Sequence, residues 1–173
     1  MIGFNAVFLQ SKRTAKSKGH IMIDLSTAFQ IANLSIVPFW LLLIVAPRWR
    51  GTNVLVHSML YPLAIGVVYS AFALGGSFFA PNAPEGGGFG SLEELAILFS
   101  SPPALFAGWI HYLVFDLFVG AWEARDAQKR GVPHLLLIPC LILTCLLGPM
   151  GLLAYLVMRL VLRKGGWRLD PEE

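Results

Sequence analysis

Charge is what this sequence most lacks. Only 13% of its 173 residues are Asp, Glu, Lys or Arg, where soluble domains carry roughly 25%. Hydrophobic residues make up 56%, and mean hydropathy is +0.67. That balance excludes a disordered chain, a nucleic-acid-binding tail and an ordinary soluble enzyme. Cysteine is scarce too. Cys140 and Cys145 share one apolar stretch and stand about 140° apart around a helix, so they cannot pair and read as small packing residues. There are four histidines, His20, His57, His111 and His134, no two at helical i, i+3 or i+4 spacing. That excludes the histidine clusters of membrane di-iron enzymes and any visible zinc ligand set. Gly86-Gly87-Gly88-Phe89-Gly90 follows no strand and is no dinucleotide fingerprint, and no phosphate loop is present. The sequence predicts a cofactor-free chain with no metal site. An enzyme built on it would run redox-neutral acid–base chemistry.

The few charges leave long gaps. No Asp, Glu, Lys or Arg occurs between Asp24 and Arg48, Arg50 and Glu85, Glu94 and Asp116, or Arg130 and Arg159. Each gap exceeds the roughly 20 residues that a helix needs to cross a bilayer. The fold class expected is all-α, a polytopic membrane protein with four transmembrane helices and one short interfacial helix. Residues 1–23 form a basic extension, 24–163 the four-helix transmembrane domain and 164–173 a polar tail. In 1–23 the apolar patch Ile2–Leu9 precedes Lys12, Arg13, Lys16 and Lys18, the wrong order for a secretory signal. Met22 is an alternative start. The net charge of +3 follows from basic flanks, which serve topology rather than nucleic acid.

Span one is read from Ser26 to Ala46, kinked at Pro38. Trp49 follows it at headgroup depth. Span two runs from Asn53 to Phe79, with Gly66, Ser70 and Ala73 placed for close helix approach. A breaker stretch, Ala80 to Gly90, leads to Ser91-Leu92-Glu93-Glu94, a capping box that starts the interfacial helix Leu92 to Ser100. Ser101-Pro102-Pro103 restarts the chain. Span three runs from Ala104 to Ala124, and Arg125 to Gly131 is a charged loop. Span four runs from Pro133 to Leu162, with Pro139, Gly148 and Pro149 inside. No internal repeat occurs. Four spans put both termini on one side, and basic residues on both sides leave the orientation open.

Polar side chains inside spans carry the chemistry, because a carboxylate at the bilayer centre costs about 2.5–3.5 kcal/mol. In span three, Tyr112, Asp116, Gly120 and Glu123 fall within about 40° of one direction, and Trp109 joins them. This stripe must face the bundle interior. A carboxyl group in hydrocarbon resists ionising, so it can serve as a general acid with a second group as base. Asp116 is the first candidate and Glu123 the second. The plainer reading is a carboxylate that pairs with an arginine, Arg159 being available, and only fixes packing. Asn33, His57, Ser58 and Tyr61 could complete a pocket or simply bond neighbouring helices. His111 lies off the Asp116 face. Cys140, Thr144, Gly148, Gly151 and Tyr155 form a face of small and polar groups that suits packing as well as a site. Trp109, Phe115, Phe118 and Trp122 could wall a long apolar ligand or face lipid.

Several stretches carry a resemblance. They are Ala28-Phe29-Gln30-Ile31-Ala32-Asn33-Leu34 and Pro38-Phe39-Trp40, then Trp109-Ile110-His111-Tyr112-Leu113 with Asp116-Leu117-Phe118-Val119-Gly120. Further on stand Asp126, Arg130-Gly131-Val132-Pro133-His134, Pro139-Cys140-Leu141 through Thr144, and Gly148-Pro149-Met150-Gly151-Leu152-Leu153. These resemble the plant abscisic-acid-deficient-four family, the neoxanthin synthase family, from about Leu25 to Arg163. The resemblance implies a role in xanthophyll metabolism, in which violaxanthin becomes neoxanthin. That isomerisation delivers one proton to an epoxide oxygen and removes one from the polyene. No catalytic residues carry over from the family. The chain lacks a long Ser- and Arg-rich transit segment ahead of span one, which points to a bacterial member in a cytoplasmic membrane.

Two functions are expected from this. One is an intramembrane, cofactor-free isomerase of a carotenoid or related isoprenoid lipid. Asp116, Tyr112, Glu123, His111 and His57 would be its catalytic candidates, with Asn33, Trp109, Phe115, Thr144, Tyr155 and Arg159 lining the substrate. The other is a non-catalytic carotenoid- or lipid-binding helper of a biosynthetic enzyme. Expected partners are membrane lipid or carotenoid, with a second copy of the chain or a biosynthetic enzyme as protein partner, and no nucleic acid.

Overall fold

The computed structural model describes residues 24–74 and 84–169. Among the described residues every regular element is a helix, with no strand. The basic extension, the end of span two at Phe79 and the last four residues lie outside them. Helix α1 is Leu25–Val45, α2 Arg50–Leu55, α3 Leu60–Phe72, α4 Leu92–Phe99, α5 Pro102–Arg130, α6 His134–Leu147 and α7 Pro149–Val161.

Among the described residues, three stretches are long and apolar enough to cross a membrane: α1, the α2–α3 pair over Arg50–Phe72, and α5. Helix α1 keeps going through Pro38. At its end the Thr52 hydroxyl donates to the Ala46 carbonyl at 2.6 Å, a partner for a carbonyl that has run out of helix. Helix α4 begins as the capping motif predicts. Ser91 Oγ accepts from the Glu94 amide at 3.1 Å, and Glu94 Oε2 accepts from the Gly90 amide at 3.0 Å. Leu98 is buried and the Phe99 ring lies against Gly108, so α4 turns its apolar side to protein.

Helix α5 is the centre of the fold and touches α1, α3, α4, α6 and α7. Its buried face is built largely from Ala104, Ala107, Gly120, Ala121, Ala124 and Ala127. Small residues let backbones approach where lipid supplies no hydrophobic drive between helices. The Trp40 ring of α1 lies directly over Gly120, where an added Cβ would meet it at 2.6 Å. Gly66 and Ser70 do not act this way. Nothing stands within 4 Å of a Cβ at Gly66, and the Ser70 hydroxyl simply donates to the Gly66 carbonyl.

Two boundaries depart from the sequence reading. Arg125 to Arg130 is helix, not loop: α5 continues until Gly131, whose left-handed backbone (φ 65°) caps it. Lys129 and Arg130 in the last turn suit the negative end of the helix. The expected fourth span is not one helix either. Gly148 (φ 47°, ψ −98°) ends α6 and starts α7, in a conformation that costs any residue with a Cβ. There the chain doubles back. An added Cβ on Gly151 would fall 2.1 Å from the Thr144 amide, although seven residues of straight helix would separate the two by about 10 Å.

The ends of this hairpin confirm its course. His134 Nε2, at the start of α6, donates to the Ile44 carbonyl at 2.7 Å. Gly148 at the tip lies against Asp116, midway along α5. Tyr155 and Arg159 of α7 return to Asp126, near the end of α5. The tail after α7 therefore emerges beside Arg130 and the α1–α2 turn. Every Lys and Arg among the described residues lies toward this end, and the acidic Asp24, Glu85, Glu93 and Glu94 lie toward the other.

Candidate functional site

The carboxylate end of the stripe expected on α5 faces inward, while Tyr112 is only partly buried and Trp109 is exposed. Asp116 and Glu123 are buried, at 9% and 0% exposed, and both face the hairpin. Each meets a different environment. Thr144 Oγ1 of α6 donates to Glu123, 2.9 Å from Oε1 and 3.1 Å from Oε2. The Cys140 thiol, a turn away, bonds back to the Leu136 carbonyl and stays free. No cation pairs with Glu123 among the described residues.

Asp116 sits under the hairpin tip. An added Cβ on Gly148 would come 2.6 Å from its Oδ1. Its Oδ2 is buried and has no hydrogen-bond partner, an uncommon state for a buried oxygen. The Tyr112 hydroxyl lies beside the carboxylate. Tyr112 stacks on Trp109 at 5.2 Å between ring centres, and Trp109 meets Phe29 at 5.7 Å. Trp109 Nε1 donates to Asn33 Oδ1 at 2.8 Å, which orients the indole. Trp109 and Phe29 are 37% and 41% exposed. An aromatic strip open to the surroundings therefore leads to Asp116 on the side that the hairpin does not cover.

The buried arginine serves another acid. Arg159 does not pair with Asp116; its Nη1 donates to Asp126 Oδ2 at 2.9 Å. Tyr155 donates to the same oxygen at 2.5 Å, and Arg130 Nε to Oδ1 at 2.7 Å. Arg159 and Arg130 also bond carbonyls of Gly166, Arg168 and Leu169, which fastens the tail. Tyr155, Arg159 and Asp126 form a structural ion cluster and leave no open face for substrate. The sequence reading gave Asp126 no role because it placed the residue in a loop. Its spacing from Arg130, one helical turn, was the available signal.

The histidines are elsewhere. His111 packs on Phe115 at 4.5 Å and faces Tyr69 at 6.0 Å. His57 lies in the α2–α3 turn, where its Nδ1 accepts from Arg125 Nη1 at 3.1 Å. Phe115 is exposed and off the stripe. Of the expected catalytic residues, Asp116 and Tyr112 stand together, Glu123 shares their face about 10 Å further along, and His57 and His111 do not join them. Among the described residues no three His, Cys, Asp or Glu side chains gather as a metal site.

Comparison with known proteins covers this same region. A family model described as ABA4-like, ABA DEFICIENT 4-like, matches residues 27–155. The Arabidopsis thaliana protein named Protein ABA DEFICIENT 4, chloroplastic, is 25% identical over an alignment of 149 residues that covers 79% of this chain and 62% of that protein. The chain thus spans less than two thirds of that relative's length. No solved structure matches it significantly. The matched region takes in α1, the whole Tyr112–Asp116–Glu123 stripe and the hairpin as far as Tyr155, and on that extent the chain belongs to the ABA4-like family.

Proposed function

We propose that this protein is an intramembrane isomerase that acts on a carotenoid or related isoprenoid lipid by acid–base chemistry. The observation that carries the reading is Asp116: a buried carboxylate midway along a candidate span, in no ion pair, with Oδ2 unpartnered. An unpaired acid at that depth is a functional group by default. A carboxylic acid there can give its proton to an epoxide oxygen as one C–O bond of the ring breaks, the oxygen staying on the molecule as a hydroxyl. The carboxylate so formed can then take a proton from a neighbouring carbon, which leaves an isomer and restores the acid. Tyr112 would hydrogen-bond the oxygen. Trp109 and Phe29 would lie along the polyene. The resemblance to the neoxanthin synthase family supports an epoxycarotenoid as substrate class, and a bacterial cytoplasmic membrane is the proposed setting.

The test is to express the chain in a host supplied with epoxycarotenoid and to separate pigments by chromatography. Asp116→Asn should abolish conversion at unchanged membrane abundance. Full conversion by that variant overturns the assignment. The exposed aromatic strip favours one second reading, a pigment-binding helper without turnover. It predicts co-purifying pigment that Trp109→Ala loses and Asp116→Asn keeps.

A further inference from the structure

The face of α5 opposite Asp116 carries a second polar feature. A cleft of about 220 Å³ lies between the α2–α3 turn and α5. Its polar end holds Arg125, His57 and Ser58, and its apolar wall includes Val114, Phe118 and Met59. Around the helix, Val114, Phe118 and Arg125 centre about 180° from Asp116. This cleft is separate from the carboxylate site and does not depend on the function proposed for it.

The polar end is dominated by donors. Arg125 Nη1 donates to His57 Nδ1 at 3.1 Å, so a neutral His57 carries its proton on Nε2. That Nε2 is buried and has no partner. Ser58 Oγ already accepts from the Leu60 amide, which leaves its hydrogen to give. Arg125 is half-buried and has no acidic partner among the described residues. A guanidinium withdrawn from water and left unpaired demands an anion.

Depth identifies what kind. Arg125 stands nine residues past Asp116, about 13–14 Å along the helix axis. With Asp116 near the middle, that is close to the edge of a hydrocarbon layer about 30 Å thick. The anionic group of a phospholipid sits at this level, and its chain would run back along Val114 and Phe118, the latter 55% exposed. We propose that the Arg125–His57 cleft binds the headgroup of an anionic phospholipid. Guanidinium and imidazole N–H groups would hold its phosphate.

The full chain, in nanodiscs of phosphatidylcholine with a minority of phosphatidylglycerol, can be examined by native mass spectrometry. Retained phosphatidylglycerol at about one per chain, displacing phosphatidylcholine, is the expected result. Arg125→Gln should weaken its retention about tenfold or more, Arg125→Lys should keep most of it, and His57→Phe should weaken it severalfold. If Arg125→Gln does not fold, the wild-type preference and the other two variants decide. Equal retention of the two lipids by the wild type overturns the proposal. So does undiminished retention by a folded Arg125→Gln protein, or displacement of phosphatidylglycerol by inorganic phosphate at equal concentration.

Discussion

Gly148 leaves bare backbone against the Asp116 carboxylate, where any side chain would be strained and would force the acid to shift. A methyl group at this position would stand 2.6 Å from Oδ1 and 3.2 Å from Oδ2. The turn that reverses the chain and the acid proposed for the chemistry are thus held in one contact.

Gly148→Ala should be destabilising twice over, through its positive φ and through the clash with Asp116. Backbone strain of this kind costs about 1–3 kcal/mol. Thermal unfolding in detergent measures the loss. In an Asp116→Ala background the same change should cost less, by about 1 kcal/mol or more, because the clashing oxygens are gone. Strict additivity would show that the contact carries no energy.

Thr144→Val should leave Glu123 buried with no donor, at a cost of about 1–3 kcal/mol. Glu123→Gln should be milder, since an amide still meets the threonine hydroxyl. Pigment conversion by Glu123→Gln separates packing from chemistry. Near-normal turnover is expected from the arrangement, and a loss like that of Asp116→Asn would give Glu123 a proton-transfer role.

Asp126→Asn should be the most damaging of the conservative changes. It strips the charge that two arginines share, and breaking a buried pair costs about 3–5 kcal/mol. Both partners are nearly inaccessible, with Arg159 and Asp126 side chains each 2% exposed. Proteolysis after Arg163 or Lys164 offers a second readout, because release of Arg130 and Arg159 should free the tail they hold.

The hairpin fixes the sidedness of the tail. In a protein lacking Cys140 and Cys145, single cysteines at Asn53→Cys and Lys164→Cys should label from one side of the membrane, and Glu85→Cys from the other. Four full spans would instead pair position 164 with position 85. The clustered Lys and Arg predict that positions 53 and 164 face the cytoplasm or its equivalent.

Much of this architecture was legible beforehand. The uncharged gaps marked α1, α2–α3 and α5, and the Ser91–Glu94 pair marked α4, because hydropathy and caps are local properties. The Tyr112–Asp116–Glu123 stripe followed from helical period alone. The hairpin did not, since Gly148-Pro149 inside an apolar run suits a kink as well as a reversal. What decides between them is tertiary: Gly151 against Thr144, and Tyr155 against Asp126. Length held a clue, because thirty residues from Pro133 to Leu162 would make a rod of about 45 Å, longer than the hydrocarbon is thick. Asp126 stood in the resemblance but had no role assigned, because a charge-rich stretch reads as loop until Arg130 and Arg159 are seen to neutralise it.

A hairpin that stops at mid-depth fills only half of the layer beside α5. Among the described residues, the other half, flanked by Phe29, Trp109 and Tyr112, is left uncovered by the hairpin. Under the function proposed above, a long pigment dissolved among the acyl tails there would meet the acid end-on from within the oil.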